Sequence, residues 1–264
     1  MDIIDFHTHI YPKKISERAV SSIGEFYNLK MTGSGTSETL LTGKRRITKF
    51  LVHSVAVDEK HVEPINNFII SECAEHNELL GFATIHKNYK DKVGESERIF
   101  SEGLRGIKIH PDTQKFNMDD REMFELYDYL QEVEKPILIH CGDYRYDYSH
   151  PKRVCTILKN FPKLKVIAAH FGGWSVYDLA LEYLKNENCY VDTSSSFAMI
   201  GLARAKELIN IYGAERVLFG SDFPMWNPET ELDNFLNLKL SDRQNELILC
   251  DNAKRLLNLD EVIK

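Results

Sequence analysis

An α/β chain closed as a single-domain (β/α)8 TIM barrel over residues 1–264 is the fold class this sequence predicts. Eight short apolar runs alternate with segments of helical periodicity. The runs are apolar almost throughout, the pattern of parallel strands buried on both faces. Nearly every run ends on a polar residue able to do chemistry, as expected where the active face lies at the strand C-termini. A doubly wound open sheet is the competing arrangement. It usually has fewer strands, and it lacks a polar residue at the end of nearly every one.

Taken in order, Ile3–Ile10 reads as the first strand. Lys13–Tyr27 reads as a helix, with Ile15, Ala19, Val20, Ile23 and Phe26 at helical spacing. Residues 30–46 are rich in Gly, Ser and Thr and read as a loop-like insertion; Leu40 and Leu41 leave room for a short helix. A second strand is expected near Ile47–Val57 and a helix over Pro64–His76. Leu79–His86, Leu104–His110, Pro136–His140, Leu164–His170, Cys189–Ser194 and Val217–Asp222 supply the remaining strands. Between them fall helices at Val93–Glu102, Asp119–Val133, Pro151–Asn160, Ser175–Asn186 and Phe197–Tyr212. Asp119 or Asp120 is the expected cap of the second of these. Asp242–Leu257 reads as the final helix.

Composition narrows the function classes. Hydrophobic residues make up 43% of the chain, enough for a large core, and the formal net charge is −7. That balance disfavours a nucleic-acid partner, which selects for a basic surface. No apolar run reaches membrane-spanning length, and Met1–Asp5 does not read as a signal peptide. The five cysteines are odd in number and scattered without a CxxC pair, which points to reduced thiols in the cytoplasm. A small-molecule substrate is the expected partner, and self-association into a homo-oligomer is left open.

The chemistry-bearing residues collect at the strand ends. His7 and His9 are spaced i, i+2, so in a strand they share one face. Alone, such a pair is as compatible with one ring capping a loop and the other solvated as with half of a divalent-metal site. Lys108 and His110 end the fourth strand, His140 the fifth, His170 the sixth and Asp222 the eighth. Asp192 reads as nearer the middle of the seventh. Burying several imidazoles and a carboxylate together without partners is costly, and one divalent metal ion accounts for all of them. Three or four N/O ligands with an open position is the pattern of a catalytic zinc site. Zinc is the default for a histidine-rich set, with Mn2+ and Fe2+ as alternatives.

His7-Thr8-His9, Ile139-His140, Ala169-His170-Phe171-Gly172-Gly173 and Gly220-Ser221-Asp222-Phe223-Pro224 resemble the motifs of the amidohydrolase superfamily. Together with Gly106–Pro111 and Asp251–Leu257 they are closest to its amidohydrolase-related branch, typified by aminocarboxymuconate-semialdehyde decarboxylase. The resemblance spans essentially the whole chain. It implies that His7, His9, His140 and Asp222 hold the metal, with Asp222 moving a proton and His170 polarising the substrate. Some relatives carry a carboxylated lysine that bridges two metals. Lys108 and His110 are candidates for a second-metal or substrate contact, and Lys108 alternatively pairs with a site carboxylate. Arg145, in the aromatic loop Asp143–Tyr148, is a candidate carboxylate binder.

The first expectation is a metal-dependent hydrolase of a small carbonyl compound, an amide, ester or lactone. The alternative is a non-oxidative decarboxylase or hydratase of a small unsaturated or aromatic acid. A TatD-type nuclease shares the ligand pattern, but relatives of that type usually carry glutamate where this chain has Lys108. A non-catalytic barrel is disfavoured because all five core positions are present.

Overall fold

The computed structural model describes residues 2–31 and 33–259. Its elements run β1 (Ile4–His9), α1 (Ser16–Tyr27), α2 (Ser37–Gly43), β2 (Lys49–His53), α3 (Val62–Glu75), β3 (Leu79–Thr84), α4 (Lys92–Ser101) and β4 (Gly106–Ile109). There follow α5 (Pro111–Gln114), α6 (Phe124–Glu132), β5 (Ile137–Ile139), α7 (Lys152–Asn160), β6 (Val166–Ala168), α8 (Tyr177–Leu184), β7 (Tyr190–Asp192) and α9 (Phe197–Tyr212). The chain ends with β8 (Val217–Leu218), α10 (Pro228–Leu236), α11 (Asp242–Glu246) and α12 (Asn252–Leu257). The eight strands are parallel and ordered β1 to β8. Phe6 N–H donates to Phe219 O (2.7 Å) and His9 N–H to Phe223 O (2.7 Å), so β8 returns to β1 and the sheet closes.

Two apolar layers result from the strand alternation. Phe50, Val52, Ile107, Ile109, Ile137 and Ile139 pack outward against the helices. Ile4, Phe6, Leu51, Phe82, Leu138, Ile167 and Leu218 fill the barrel, where Ala253, Leu256 and Leu257 of the last helix join them. These interior residues are essentially unexposed, so the lower barrel is solid and ligand space exists only above it.

β1 departs from simple alternation. Its register against β2 runs Asp5↔Phe50 and then Thr8↔Val52, so β1 carries one residue more than its partner there. Such a β-bulge re-aims the side chains that follow it. Phe6 belongs to the interior cluster, and the next residue, His7, also meets interior groups. The buried Asp5 carboxylate accepts from His7 N–H (3.2 Å) and Ser221 N–H (2.9 Å), tying the bulge to the end of β8. Burial pushes the Asp5 carboxyl up to about 7.

Several expected elements are redrawn. β2 stops at His53, because Ser54 Oγ turns to donate to Ile10 O and ends the ladder. The 30–46 stretch contains a true helix, α2, whose cap Thr36 accepts from Thr39 N–H (3.2 Å); Thr32 lies outside the described residues. Asp120 precedes α6 without a side-chain capping bond and pairs with Lys87 (2.8 Å) instead. α10 was not expected. Asn227 caps it by accepting from Glu229 and Thr230 N–H, and Pro228 sits in the first turn where a missing N–H does no harm. The expected final helix is α11 and α12 joined through a π-helical stretch, Leu247–Asp251. No described helix is long and apolar enough to cross a membrane.

Candidate active site

At the C-terminal mouth of the barrel the strand-end residues converge. His7 and His9 follow the bulge on β1, and His53 ends β2 beside His9 in the β1–β2 register. Lys108 comes from β4, and His110 and Asp112 lie just beyond it. His140 follows β5, His170 follows β6, Asp192 ends β7 and Asp222 follows β8. All but His9 are buried.

His7 is held at both ring nitrogens. Nδ1 lies 2.9 Å from Asp192 Oδ2 and 3.0 Å from Ser194 Oγ. A carboxylate at Nδ1 selects the tautomer with its proton there, leaving the Nε2 lone pair to face Lys108 Nζ. Burial first, and then the Lys108 charge, push the imidazole down to about 4, so His7 is neutral at physiological pH. Burial works against an ionised Asp192, yet the His7 and His170 rings and the Ser194 hydroxyl hold its carboxyl below the ordinary range. Asp192 also accepts from the backbone N–H of His170 (2.9 Å) and Ser194 (3.1 Å).

Asp222 Oδ1 stands 3.5 Å from His7 Nε2 and 3.4 Å from His9 Nε2. Its Oδ2 accepts from Ser195 Oγ, which itself accepts from Trp226 Nε1–H (2.8 Å). Burial raises the Asp222 carboxyl, but the neighbouring histidines overcome this and keep it well below the usual range. Lys108 is wholly buried, with Nζ 3.1 Å from His7 Nε2. Desolvation brings it down to about 8. It forms no ion pair within 4 Å among the described residues, so the expected pairing with a site carboxylate is not made.

His140, expected to be a metal ligand, lies against His170 and His110. Its Nδ1 lies 3.0 Å from His170 Nε2, and its ring stacks flat on His110 at 3.8 Å and 8°. Its Nε2 finds no hydrogen-bond partner among the described residues and is 3.5 Å from Asp112 Oδ2. The donor atoms gather as His7, His9 and His53; as His7, His170 and Asp222; and as His110, Asp112 and His140. His170 carries Ser194 against Nδ1, with O at 3.0 Å and Oγ at 2.8 Å.

Arg145 requires a correction. Expected to bind a carboxylate, it is already committed. It donates to both oxygens of Asp143 (2.7–3.2 Å) and to Phe26 O (2.6 Å). Its guanidinium lies over the rings of Phe26, Tyr27, Tyr146 and Trp174. Its role is to brace α1 against the loop after β5. Asp192 ends its strand rather than lying near the middle. His53 and Asp112 were missed outright. The signal for His53 was present: it ends the apolar run Phe50-Leu51-Val52, as the other histidines end theirs.

Above these groups lies a cavity of about 500 Å³. Its floor is His7, His9, Lys108, His140, His170 and Asp222, and its walls are largely apolar and aromatic. Ala19, Ile23, Phe26 and Tyr27 of α1 form the roof, and Tyr146, Tyr148 and Met225 close the sides. Tyr27 Oη lies 2.8 Å from His110 Nε2. The apolar stripe of α1 therefore faces ligand space as well as core.

A family model described as Amidohydrolase matches residues 4–259. The chain belongs to the amidohydrolase family. As an amidohydrolase-family enzyme it falls in the branch that the strand-end motifs resembled, and its TIM barrel is that of solved relatives. The curated decarboxylase orsB of Emericella nidulans is 27% identical over 125 residues, 39% of this chain and 37% of that protein. That match thus spans little more than a third of the relative's length. An uncharacterized TIM-barrel protein from Bordetella bronchiseptica superposes with a TM-score of 0.80 at 19% identity, covering 98% of this chain and 99% of the other. A dihydroxybenzoic acid decarboxylase from Polaromonas sp. JS666, solved with bound manganese and the inhibitor 2-nitroresorcinol, gives a TM-score of 0.75 at 16% identity, covering 98% and 97%. At these identities the structural likeness carries the fold.

Proposed function

We propose that this amidohydrolase is a metal-dependent, non-oxidative decarboxylase of a small aromatic acid. The observation that carries the reading is the cavity: about 500 Å³, walled by aromatic and apolar side chains, over a floor of imidazoles, one carboxylate and one lysine. An aromatic ring suits the walls and an acid group suits the floor. The relatives named as decarboxylases support this alternative over hydrolysis, the first expectation.

The donor set fits a divalent cation. His7 presents the Nε2 lone pair because Asp192 holds Nδ1, and His9 Nε2 and Asp222 Oδ1 converge on the same place. His140 completes the set by family resemblance. Imidazole nitrogens with one carboxylate suit zinc or manganese. When bound, the cation supplies fixed positive charge beside the reacting acid.

The chain's own groups account for the rest. The cavity walls exclude water and orient the ring. Asp222, ionised between two histidines and anchored by Ser195, takes a proton from the substrate's ring hydroxyl and passes it to the ring carbon that bears the carboxylate; solvent later returns a proton to the ring oxygen. The carbon–carbon bond then breaks, its electron pair returns to the ring, and carbon dioxide leaves. One proton enters for each carbon dioxide released, with no oxidant required. His170 holds the substrate's developing charge, steadied by Ser194.

The test is product analysis. Metal-loaded enzyme is incubated with a panel of hydroxybenzoic acids, and carbon dioxide and the decarboxylated phenol are measured. Asp222→Asn is expected to lose the activity. Turnover of esters or lactones with no carbon dioxide from any acid restores the hydrolase reading.

A further inference from the structure

The cavity over the strand ends is larger than a simple aromatic acid. At the roughly 30 Å³ that each water takes in the liquid, a hydroxybenzoic acid, with about ten non-hydrogen atoms, fills no more than about 300 Å³. The cavity measures about 500 Å³, within the range of sites that enclose drug-sized ligands. It is also long. Ala19, Ile23 and Tyr27 recur every fourth residue of α1, and all three line it. At a rise of about 1.5 Å per residue, the cavity runs roughly 12 Å beneath that helix.

The two ends of this space differ in chemistry. At the C-terminal turn of α1 the lining is aromatic. Tyr27 stands over the floor, its ring 6.3 Å from that of His140 and its hydroxyl 2.8 Å from His110 Nε2. Phe26 and Tyr146 stack at 5.8 Å, and the Arg145 guanidinium lies over both. Toward the start of α1 the lining is aliphatic: Ala19 and Ile23 from the helix, Val55 and Val57 from the loop after β2. Ala19, Ile23 and Val55 are half-buried, and Val57 is 58% exposed. Apolar surface left open along a concave wall marks a place that a ligand covers.

The upper cavity offers little to an anion. Among the described residues no arginine lines it, and Arg145 is committed to Asp143 and Phe26 O. Lys108 lies on the floor, and Lys115 is exposed at the rim. Thr113 Oγ1 donates to His110 O (3.1 Å). A second carboxylate or a phosphate placed here loses hydration without gaining a buried cation.

We infer that the substrate is an aromatic monoacid carrying an alkyl chain several carbons long, and that Ala19, Ile23, Val55 and Val57 form the subsite for that chain. This inference rests on the reading of the site as one for an aromatic acid. The acid meets the floor, the ring lies under Tyr27, and the chain leads along α1 toward Val57 and solvent.

The experiment uses full-length, metal-loaded enzyme and two ligand series. One is hydroxybenzoic acids with hydrogen, methyl, propyl or pentyl meta or para to the acid, read as kcat/KM for carbon dioxide release. The other is phenols with the same chains, read as Kd by isothermal titration, which needs no reaction. Each buried methylene is expected to improve both quantities about fourfold until the chain reaches solvent. Chains of equal length ending in a carboxylate are expected to lose that gain. Ala19→Phe fills the subsite. Val57→Asp places a charge in it, at a position open enough to fold with one. In either variant the advantage of pentyl over the unsubstituted ligand is expected to fall at least about tenfold. Carbon dioxide release indifferent to chain length overturns this inference and leaves the decarboxylase reading standing. A preference for the carboxylate-ended chain overturns it as well. So does a chain-length gain undiminished in both variants. Phenol affinity that rises with the chain and falls in Ala19→Phe, with no carbon dioxide from any acid, upholds the subsite and overturns the decarboxylase reading. Flat responses in both series with no carbon dioxide overturn both.

Discussion

Asp192 Oδ2 stands 2.9 Å from His7 Nδ1, and this contact determines which nitrogen of His7 is available to a ligand. The pairing joins the end of β7 to the bulge of β1 across the barrel. Replacing the carboxylate by an amide offers N–H where an acceptor is needed and forces the proton toward Nε2. Asp192→Asn is therefore expected to fold normally and to lose about 10–100-fold in metal affinity. Isothermal titration with Zn2+ measures it. Unchanged affinity would mean that Asp192 is structural.

Ser195 acts one step further out, donating to Asp222 Oδ2 while Trp226 donates to it. A hydrogen bond to the ionised form lowers a carboxyl's pKa. Ser195→Ala removes that bond, so the acidic limb of the activity profile is expected to move to higher pH. The check is kcat against pH for both proteins. Loss of activity at every pH without displacement of the limb would assign Ser195 to packing.

Arg145 gives a prediction opposite to the one its sequence position invites. With its donors on Asp143 and Phe26 O, Arg145→Ala is expected to cost about 2 kcal/mol, as for hydrogen bonds to charged groups. In a chain of this size that lowers the melting temperature by roughly 4–8 °C. KM for an acid substrate is expected to change little by comparison. A tenfold rise in KM with an unchanged melting temperature would return Arg145 to the substrate.

Glu231, in the first turn of α10, is buried with Asn234 as its hydrogen-bond donor (3.0 Å). Burial pushes its carboxyl from 4.5 up to about 7. Between those values the folded state holds a proton that the unfolded state has released, so this group's contribution to stability falls as pH rises through that window. Glu231→Gln is expected to remove this loss, gaining on wild type at pH 8 relative to pH 5. Thermal melts of both proteins at the two pH values test it.

Much of the site was legible because its residues end apolar runs. The i, i+2 spacing of His7 and His9 puts them on one face whether or not a bulge precedes them. The bulge itself left no trace in the pattern, since Phe6 and His7 read as ordinary neighbours. His53 was hidden by extending β2 to Val57, which made it look internal to a strand. The α1 stripe read as core because periodicity reports an apolar face, and a cavity wall presents the same face. Arg145 was misread for a physical reason: a guanidinium's partners depend on which loop folds over it, and Asp143, two residues earlier, takes it first. α10 had a readable start in Asn227-Pro228, but its interior mixes charges with few apolar residues.

The extra residue in β1 divides the barrel into two independent storeys. Below it the strands alternate to fill an oily plug closed by the last helix. Above it the phase of β1 has slipped by one, and its inward positions carry imidazoles instead of packing groups. Chemistry and folding thus draw on different residues of the same strands. Exchanging polar side chains in the upper storey is expected to leave the lower one packed as before. Deleting one residue between Asp5 and Thr8 would make the ladder regular with His9 still inward, and would remove either Phe6 from the plug or His7 from the mouth.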